Sequence, residues 1–235
     1  MNGTYTEPQQ QFEDDDYAEI GEEMASKDLK FEPGWEIERT LIDIMGMPIG
    51  RGQFGNVYKA AYRHNEQLRH VAVKSSHNQD ANIDSDRFIE EARIMSKFTH
   101  DHIIRLVGVC TERKPIFIVM ELCELGSMRE YLQQHESLFE NDSLQLIKFV
   151  KQLASALAYL EQQNFVHRDV AARNLLMADT KTIKLGDFGL SRLLDDQSSY
   201  YVASQGKMPI KWMAPESINF RHVLFCLKTK YLKIC

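Results

Sequence analysis

His167-Arg168-Asp169-Val170-Ala171-Ala172-Arg173-Asn174 is the stretch on which the reading of this 235-residue chain turns. It sets a carboxylate, Asp169, and a carboxamide, Asn174, in the D-x-x-x-x-N spacing, with the guanidinium of Arg173 beside the amide. In that spacing the aspartate accepts a proton from a substrate hydroxyl and the asparagine holds a metal ion. Each residue alone has an ordinary structural use, such as a helix cap for Asp169. Those uses do not generate the whole octet.

Downstream comes Asp187-Phe188-Gly189, a carboxylate beside an apolar anchor and a flexible glycine, suited to a switchable magnesium ligand. Ala214-Pro215-Glu216 follows in the same order. Upstream lies Gly50-Arg51-Gly52-Gln53-Phe54-Gly55-Asn56-Val57, whose missing side chains let backbone amides approach phosphates. A dinucleotide-binding loop would open a helix, whereas residues 57–62 read as a strand, so the context favours a flap between two strands over a Rossmann turn. Lys74 ends the run Val71-Ala72-Val73-Lys74, where a lysine reaches the α- and β-phosphates if a carboxylate fixes its ammonium. Glu91 supplies that carboxylate: it falls on the same helical face as Phe88 and Met95, and a carboxylate on a buried face needs a partner. The alternative for this region is a surface pair with Arg87, worth a few tenths of a kcal/mol.

Around these motifs the pattern predicts strands over 42–49, 56–62, 70–74, 103–110 and 116–122, and a helix over 84–98 capped by Asp84, Ser85 or Asp86. A long amphipathic helix spans 143–163 with Ile147, Val150, Ala154, Leu157 and Leu160 on one face. An acidic, disordered leader over 1–36 precedes a sheet-forming region with one helix over 37–123, a mainly helical region over 124–221 and a tail over 222–235. The formal charge is -6, but residues 1–26 hold many acids and neither Lys nor Arg, so the acidity belongs to the leader and nothing suggests a nucleic-acid surface. Four scattered cysteines fit reduced thiols better than disulfides or a zinc set. No apolar run reaches the length of a membrane span, and no signal peptide is recognisable, so a cytoplasmic protein is expected.

At these residues the chain resembles a protein kinase. His167 to Asn174 with Pro209-Ile210-Lys211-Trp212-Met213-Ala214-Pro215-Glu216 is similar to the tyrosine-specific branch, since serine/threonine kinases usually carry a lysine near the catalytic aspartate. Gly52-Gln53-Phe54-Gly55, Val119-Met120-Glu121-Leu122-Cys123 and Gly186-Asp187-Phe188-Gly189-Leu190-Ser191-Arg192 resemble the focal adhesion kinase family over about residues 37–221. The resemblance implies an α+β, two-lobed fold: a small β-sheet lobe with one helix above a mainly helical, incomplete large lobe. It implies ATP and Mg2+ as cofactors and protein tyrosines as substrates. Asp169, Lys74, Glu91 and Arg173 would be catalytic, and Asn174 and Asp187 would bind metal. Ile49, Gly50, Gly52, Gln53, Phe54, Gly55, Val57 and Lys74 would enclose the nucleotide, with Met120 as gatekeeper and Glu121, Leu122 and Cys123 as the hinge.

Tyr200 and Tyr201 match that family's paired activation-loop tyrosines, with Arg168 and Arg192 as partners for their phosphates. Asp14-Asp15-Asp16-Tyr17-Ala18-Glu19-Ile20 resembles its linker phosphorylation site, which implies a Src-type kinase as partner, work at cell adhesion sites and peripheral membrane association through partners. The resemblance ends near Arg221, and Glu216 has no recognisable partner, so a C-terminally truncated kinase is expected, with apolar surface of the long helix exposed. A second reading stands beside the active enzyme: a catalytically impaired form that serves as a phosphotyrosine docking scaffold or competes with a full-length kinase.

Overall fold

The computed structural model describes residues 31, 34–52, 55–65, 67–76, 82–139 and 143–189, together with five short strand segments, 17–18, 192–193, 200–202, 208–209 and 222–224. In chain order the elements are β1 (Tyr17–Ala18), β2 (Ile42–Gly52), β3 (Gly55–His64), β4 (Gln67–Ser76), α1 (Asn82–Ser96), β5 (Leu106–Cys110), β6 (Phe117–Glu121), α2 (Met128–Gln134), α3 (Glu136–Phe139), α4 (Ser143–Gln162), β7 (Phe165–Val166), β8 (Leu175–Met177), β9 (Ile183–Leu185), β10 (Arg192–Leu193), β11 (Tyr200–Val202), β12 (Met208–Pro209) and β13 (His222–Leu224).

Five strands form one antiparallel sheet in the order β2-β3-β4-β6-β5. Alternation explains it: in β4 the run Val71 to Ser75 is buried on both faces, because α1 covers one side and a second apolar cluster of Ile37, Tyr62, Val71, Val73 and Phe117 fills the other. β2 and β3 meet at Gly52 and Gly55, so the glycine-rich segment is a flap between strands, as its sequence context predicts. A side chain at Gly55 would begin 2.2 Å from the Ser75 carbonyl oxygen, so close pairing with β4 requires glycine there.

The sheet begins earlier than the sequence suggests. Glu36 forms a parallel bridge with Val109, Ile37 N donates to Val109 O at 2.7 Å, and Val109 N donates to Trp35 O at 2.8 Å. Trp35 and Phe31 also pack on the main core. The end of the expected leader therefore belongs to the small lobe, because two aromatics and Ile37 bury what the acidic stretch before them cannot. The rest of 1–36 lies outside the described residues, apart from β1.

α1 starts at Asn82, so Asp84, Ser85 and Asp86 lie inside the helix instead of capping it. Its inner face is Phe88, Glu91, Ala92 and Met95, all buried. α2 opens with a complete capping box: Ser127 Oγ accepts from Glu130 N at 3.2 Å while Glu130 reaches back to Ser127 N.

α4 keeps Leu160 of the expected face inside but turns the start of that face, Ile147 and Val150, outward. The buried stripe is Phe149, Leu153, Ala156 and Leu160, while Ile147 is 55% and Val150 40% exposed. The helix is apolar on more than one side, and contact with β7 and β9 selects the stripe that faces the core. The expectation of exposed apolar surface holds at Leu144, Ile147 and Val150. No helix among the described residues is long and apolar enough to cross a membrane.

Candidate active site

The sheet and the helical part meet along a crease where the functional side chains collect. Lys74 projects from β4 and Glu91 from α1, and the Lys74 ammonium donates to both Glu91 oxygens at 2.7 Å. Glu91 is 3% exposed, so this is a buried pair. The helical phase that put Glu91 beside Phe88 and Met95 therefore identified the right carboxylate, while Glu90 turns to Arg93 on the surface. Burial works against the Lys74 ammonium, but Glu91 and then Asp187 outweigh it and hold its pKa above the ordinary lysine value. Burial also pushes the Glu91 carboxyl up against the pull of Lys74. Two short contacts from one ammonium favour the ionised pair.

Asp187 stands 3.7 Å from Lys74 on the other side. Its carboxylate is about half exposed and its backbone takes φ 59°, which turns it out of the strand direction of β9. Burial alone would raise its pKa, yet the Lys74 ammonium overcomes that and keeps it below the ordinary aspartate value. Phe188 is fully buried, against Phe98 and the His167 ring, and so anchors the position of Asp187.

The third corner is the loop of the octet. Asp169 accepts from Arg173 and, at 2.7 Å, from Asn174 Nδ2, which also donates to the Asp169 carbonyl at 2.8 Å. A short 3-10 turn over Ala172–Asn174 brings these groups round. His167 braces the loop from below: Nε2 donates to Gly186 O at 3.0 Å, and Nδ1 accepts from Asp169 N at 3.3 Å. Burial keeps His167 neutral by lowering its pKa, consistent with one donating and one accepting nitrogen. Burial raises the Asp169 carboxyl above the ordinary value, with Arg173 and Asn174 acting in the opposite direction.

The structure thus brings together Lys74, Glu91, Asp169, Arg173, Asn174 and Asp187. Gly50, Gly55 and Val57 lie on the two strands of the flap, and Ile49 is exposed on β2. Met120 and Glu121 end β6, with Leu122 and the buried Cys123 just after. Burial, then Glu121, pushes the Cys123 thiol up to about 12, so it remains protonated. Gln53, Phe54, Ala214, Pro215 and Glu216 lie outside the described residues. Tyr17, Tyr200 and Tyr201 are described only as backbone strand positions: β1 pairs with β12, Tyr17 opposite Pro209, and β11 with β13, Tyr200 opposite Leu224.

Sequence reasoning missed Lys184. Its ammonium contacts Glu121 at 2.9 Å, and Glu121 also accepts from Arg105 N at 2.7 Å, which fixes the chain just before the hinge. A lysine inside the apolar strand Ile183-Lys184-Leu185 was the available signal.

The residues fit a magnesium ion. Asn174 spends its Nδ2 on Asp169, leaving its carbonyl oxygen to join the half-exposed Asp187 carboxylate as hard oxygen donors. Such a sparse set suits a cation that also takes phosphate oxygens.

Residues 44–229 match the family model described as protein tyrosine and serine/threonine kinase. Among curated relatives, the inactive tyrosine-protein kinase kin-32 of Caenorhabditis elegans is 45% identical over 187 residues, covering 79% of this chain and 21% of that protein. Human ephrin type-A receptor 1 is 39% identical over 196 residues, covering 82% of this chain and 19% of the receptor. The chain therefore spans about a fifth of the length of either relative. Neither bears the focal adhesion kinase name, so these matches reach the kinase family and stop short of the narrower resemblance drawn from the motifs.

Proposed function

Since the chain belongs to the protein tyrosine and serine/threonine kinase family, we propose that its crease transfers the γ-phosphoryl group of ATP to protein tyrosine. The observation that carries this reading is the closed arrangement of Lys74 between Glu91 and Asp187, with Asp187 in turn near enough to Asp169 to raise its carboxyl. Lys74, fixed by Glu91, holds the α- and β-phosphates. Asp169 accepts the proton of the tyrosine hydroxyl as its oxygen bonds to the γ-phosphorus and the bond to ADP breaks. Arg173 orients the Asp169 carboxylate and balances its charge. Magnesium, held by Asn174 and Asp187, would neutralise phosphate charge. The glycine flap excludes water above, and the backbone of residues 121–123 receives adenine beside Met120.

The Ala-Ala-Arg sequence after Val170 supports tyrosine over serine as acceptor, as does the printed name of the C. elegans relative. The motifs that resemble focal adhesion kinase support a non-receptor enzyme of adhesion-type signalling, cytoplasmic and acting at adhesion sites. Phosphorylated Tyr17, followed by Ile20, would then recruit a Src-type kinase, and the antiparallel pairing of Tyr17 with Pro209 brings that strand to the activation segment. Tyr200 and Tyr201 are proposed as activation-segment phosphorylation sites.

A second reading is favoured by two observations. The C. elegans relative is named as inactive, and Leu144, Ile147 and Val150 of α4 are exposed. In this reading the chain is a phosphotyrosine scaffold or a competitor of a full-length kinase. Incubation with magnesium-ATP and an acidic tyrosine peptide separates the two. The kinase reading expects transfer well above an Asp169→Asn control. Transfer equal to the control, together with capture of Tyr17-phosphorylated protein on a Src homology domain, supports the scaffold.

A further inference from the structure

Away from the crease, the loop between α1 and β5 carries two histidines whose hydrogen-bond roles are fixed by their partners. His100 Nδ1 lies 3.1 Å from the backbone N of His102. A backbone N–H only donates, so Nδ1 must be the unprotonated, accepting nitrogen, and the ring proton sits on Nε2. Nε2 then donates to Ser155 Oγ of α4 at 3.1 Å. The ring also packs against Tyr159 of α4, with centroids 5.1 Å apart, and the Tyr159 hydroxyl accepts from Thr99 N at 3.0 Å.

His102 extends the tie to β9. Its Nδ1 donates to Ile183 O at 3.1 Å, its carbonyl accepts from Leu185 N at 2.9 Å, and Ile104 N donates to Leu185 O at 2.9 Å. One short loop thus fastens the end of the helix bearing Glu91 to α4 and to the strand that runs into Asp187.

We propose that His100 is a positioning residue, and that its neutral imidazole is an acid-sensitive latch joining α1 to α4 and β9. A proton added at Nδ1 converts the acceptor into a donor facing another donor, the His102 N–H. The bond is lost, and the loop has to shift to separate the two. His167 shows the same pattern of roles but is sealed in the core, whereas His100 is only half-buried and open to exchange with water.

The surrounding charges act in both directions. Desolvation first, then His102 of the same loop and Lys184 of β9, disfavour the imidazolium, while Asp101 favours it; the net effect is a pKa below the ordinary 6.5. From α4 the ring meets the Ser155 hydroxyl and the Tyr159 ring. A base with a lower pKa folded than unfolded binds its proton first in the unfolded chain. The latch is therefore intact above 6.5 and weakens as pH falls through the folded midpoint.

The test is histidine NMR and amide exchange on the whole chain, and it needs no catalytic activity. The expected result is a His100 midpoint below 6.5, with His102 amide protection, corrected for intrinsic rate, about tenfold weaker near pH 5 than near pH 7.5. In His100→Asn, whose side-chain oxygen can accept the same N–H and does not titrate, that loss should disappear. A midpoint at or above 6.5, or equal His102 protection at both pH values, overturns the latch. If the variant does not fold, the two wild-type measurements decide the matter alone.

Discussion

The two sides of the crease hold their charges in different ways. On the small-lobe side, Lys74 and Glu91 are set by a strand and a helix, each with a buried apolar stripe that leaves the charged side chain one direction to take. On the other side, Asp169, Arg173 and Asn174 sit on a loop with a 3-10 turn, where Arg168 at φ 70° and Asp187 at φ 59° hold a backbone that ordinary residues rarely adopt. Regular structure positions the Lys74–Glu91 pair. Hydrogen bonds among Asp169, Arg173 and Asn174 position the proposed base. The first kind of site should therefore fail through loss of stability, and the second through loss of rate with the fold retained.

Asp169→Asn breaks the comparison most sharply. Removing the proton acceptor should lower transfer by about 10²–10⁴-fold. The amide keeps the carboxylate's shape but sets a donor against Arg173 or Asn174, so thermal unfolding beside the activity assay should show a cost of about 1 kcal/mol, below that of breaking the buried pair across the crease. Glu91→Ala acts on the opposite side and should cost about 3 kcal/mol of stability, near the low end for breaking a buried ion pair, because Asp187 at 3.7 Å still faces the ammonium. Denaturant unfolding measures it, and a cost under about 0.5 kcal/mol would show that the pair is not the anchor described.

The pH profile sharpens the contrast. Burial raises the Asp169 carboxyl, and a protonated Asp169 cannot take the tyrosine proton. Rate should fall with acidity through a midpoint above the ordinary aspartate value, measured as kcat against pH and absent from Asp169→Asn. Ser127→Ala removes the α2 cap and should cost about 1 kcal/mol without a specific effect on transfer. The smallest effect is expected at the exposed Lys59–Glu124 pair, where Lys59→Ala should change stability by less than about 1 kcal/mol.

The same contrast explains what could be read from sequence. Glu91 was legible because a helix fixes direction: its phase with Phe88 and Met95 decided which of two adjacent glutamates turns inward. Asp169, Asn174 and Asp187 were legible through spacing alone, although spacing does not reveal that Arg173 and Asn174 both grip the Asp169 carboxylate. α4 was misread in orientation because two apolar stripes share one helix, and only the neighbours β7 and β9 decide which is inside. Trp35 and Glu36 were assigned to the leader because their contribution is a backbone pairing with Val109, remote in sequence. Lys184 and the His100–His102 tie were missed for a similar reason. Their partners lie mostly on other elements, and none of the three residues belongs to a motif.

The central claim is that the crease assembles a phosphoryl-transfer site with Asp169 as the base. Its most direct test is single-turnover transfer from saturating magnesium-ATP to a tyrosine peptide, comparing the wild-type chain with Asp169→Asn. The account predicts transfer by the wild type and a drop of about 10²-fold or more in the variant. Equal transfer by the two proteins, or none by a folded wild-type chain that binds ATP, would contradict it.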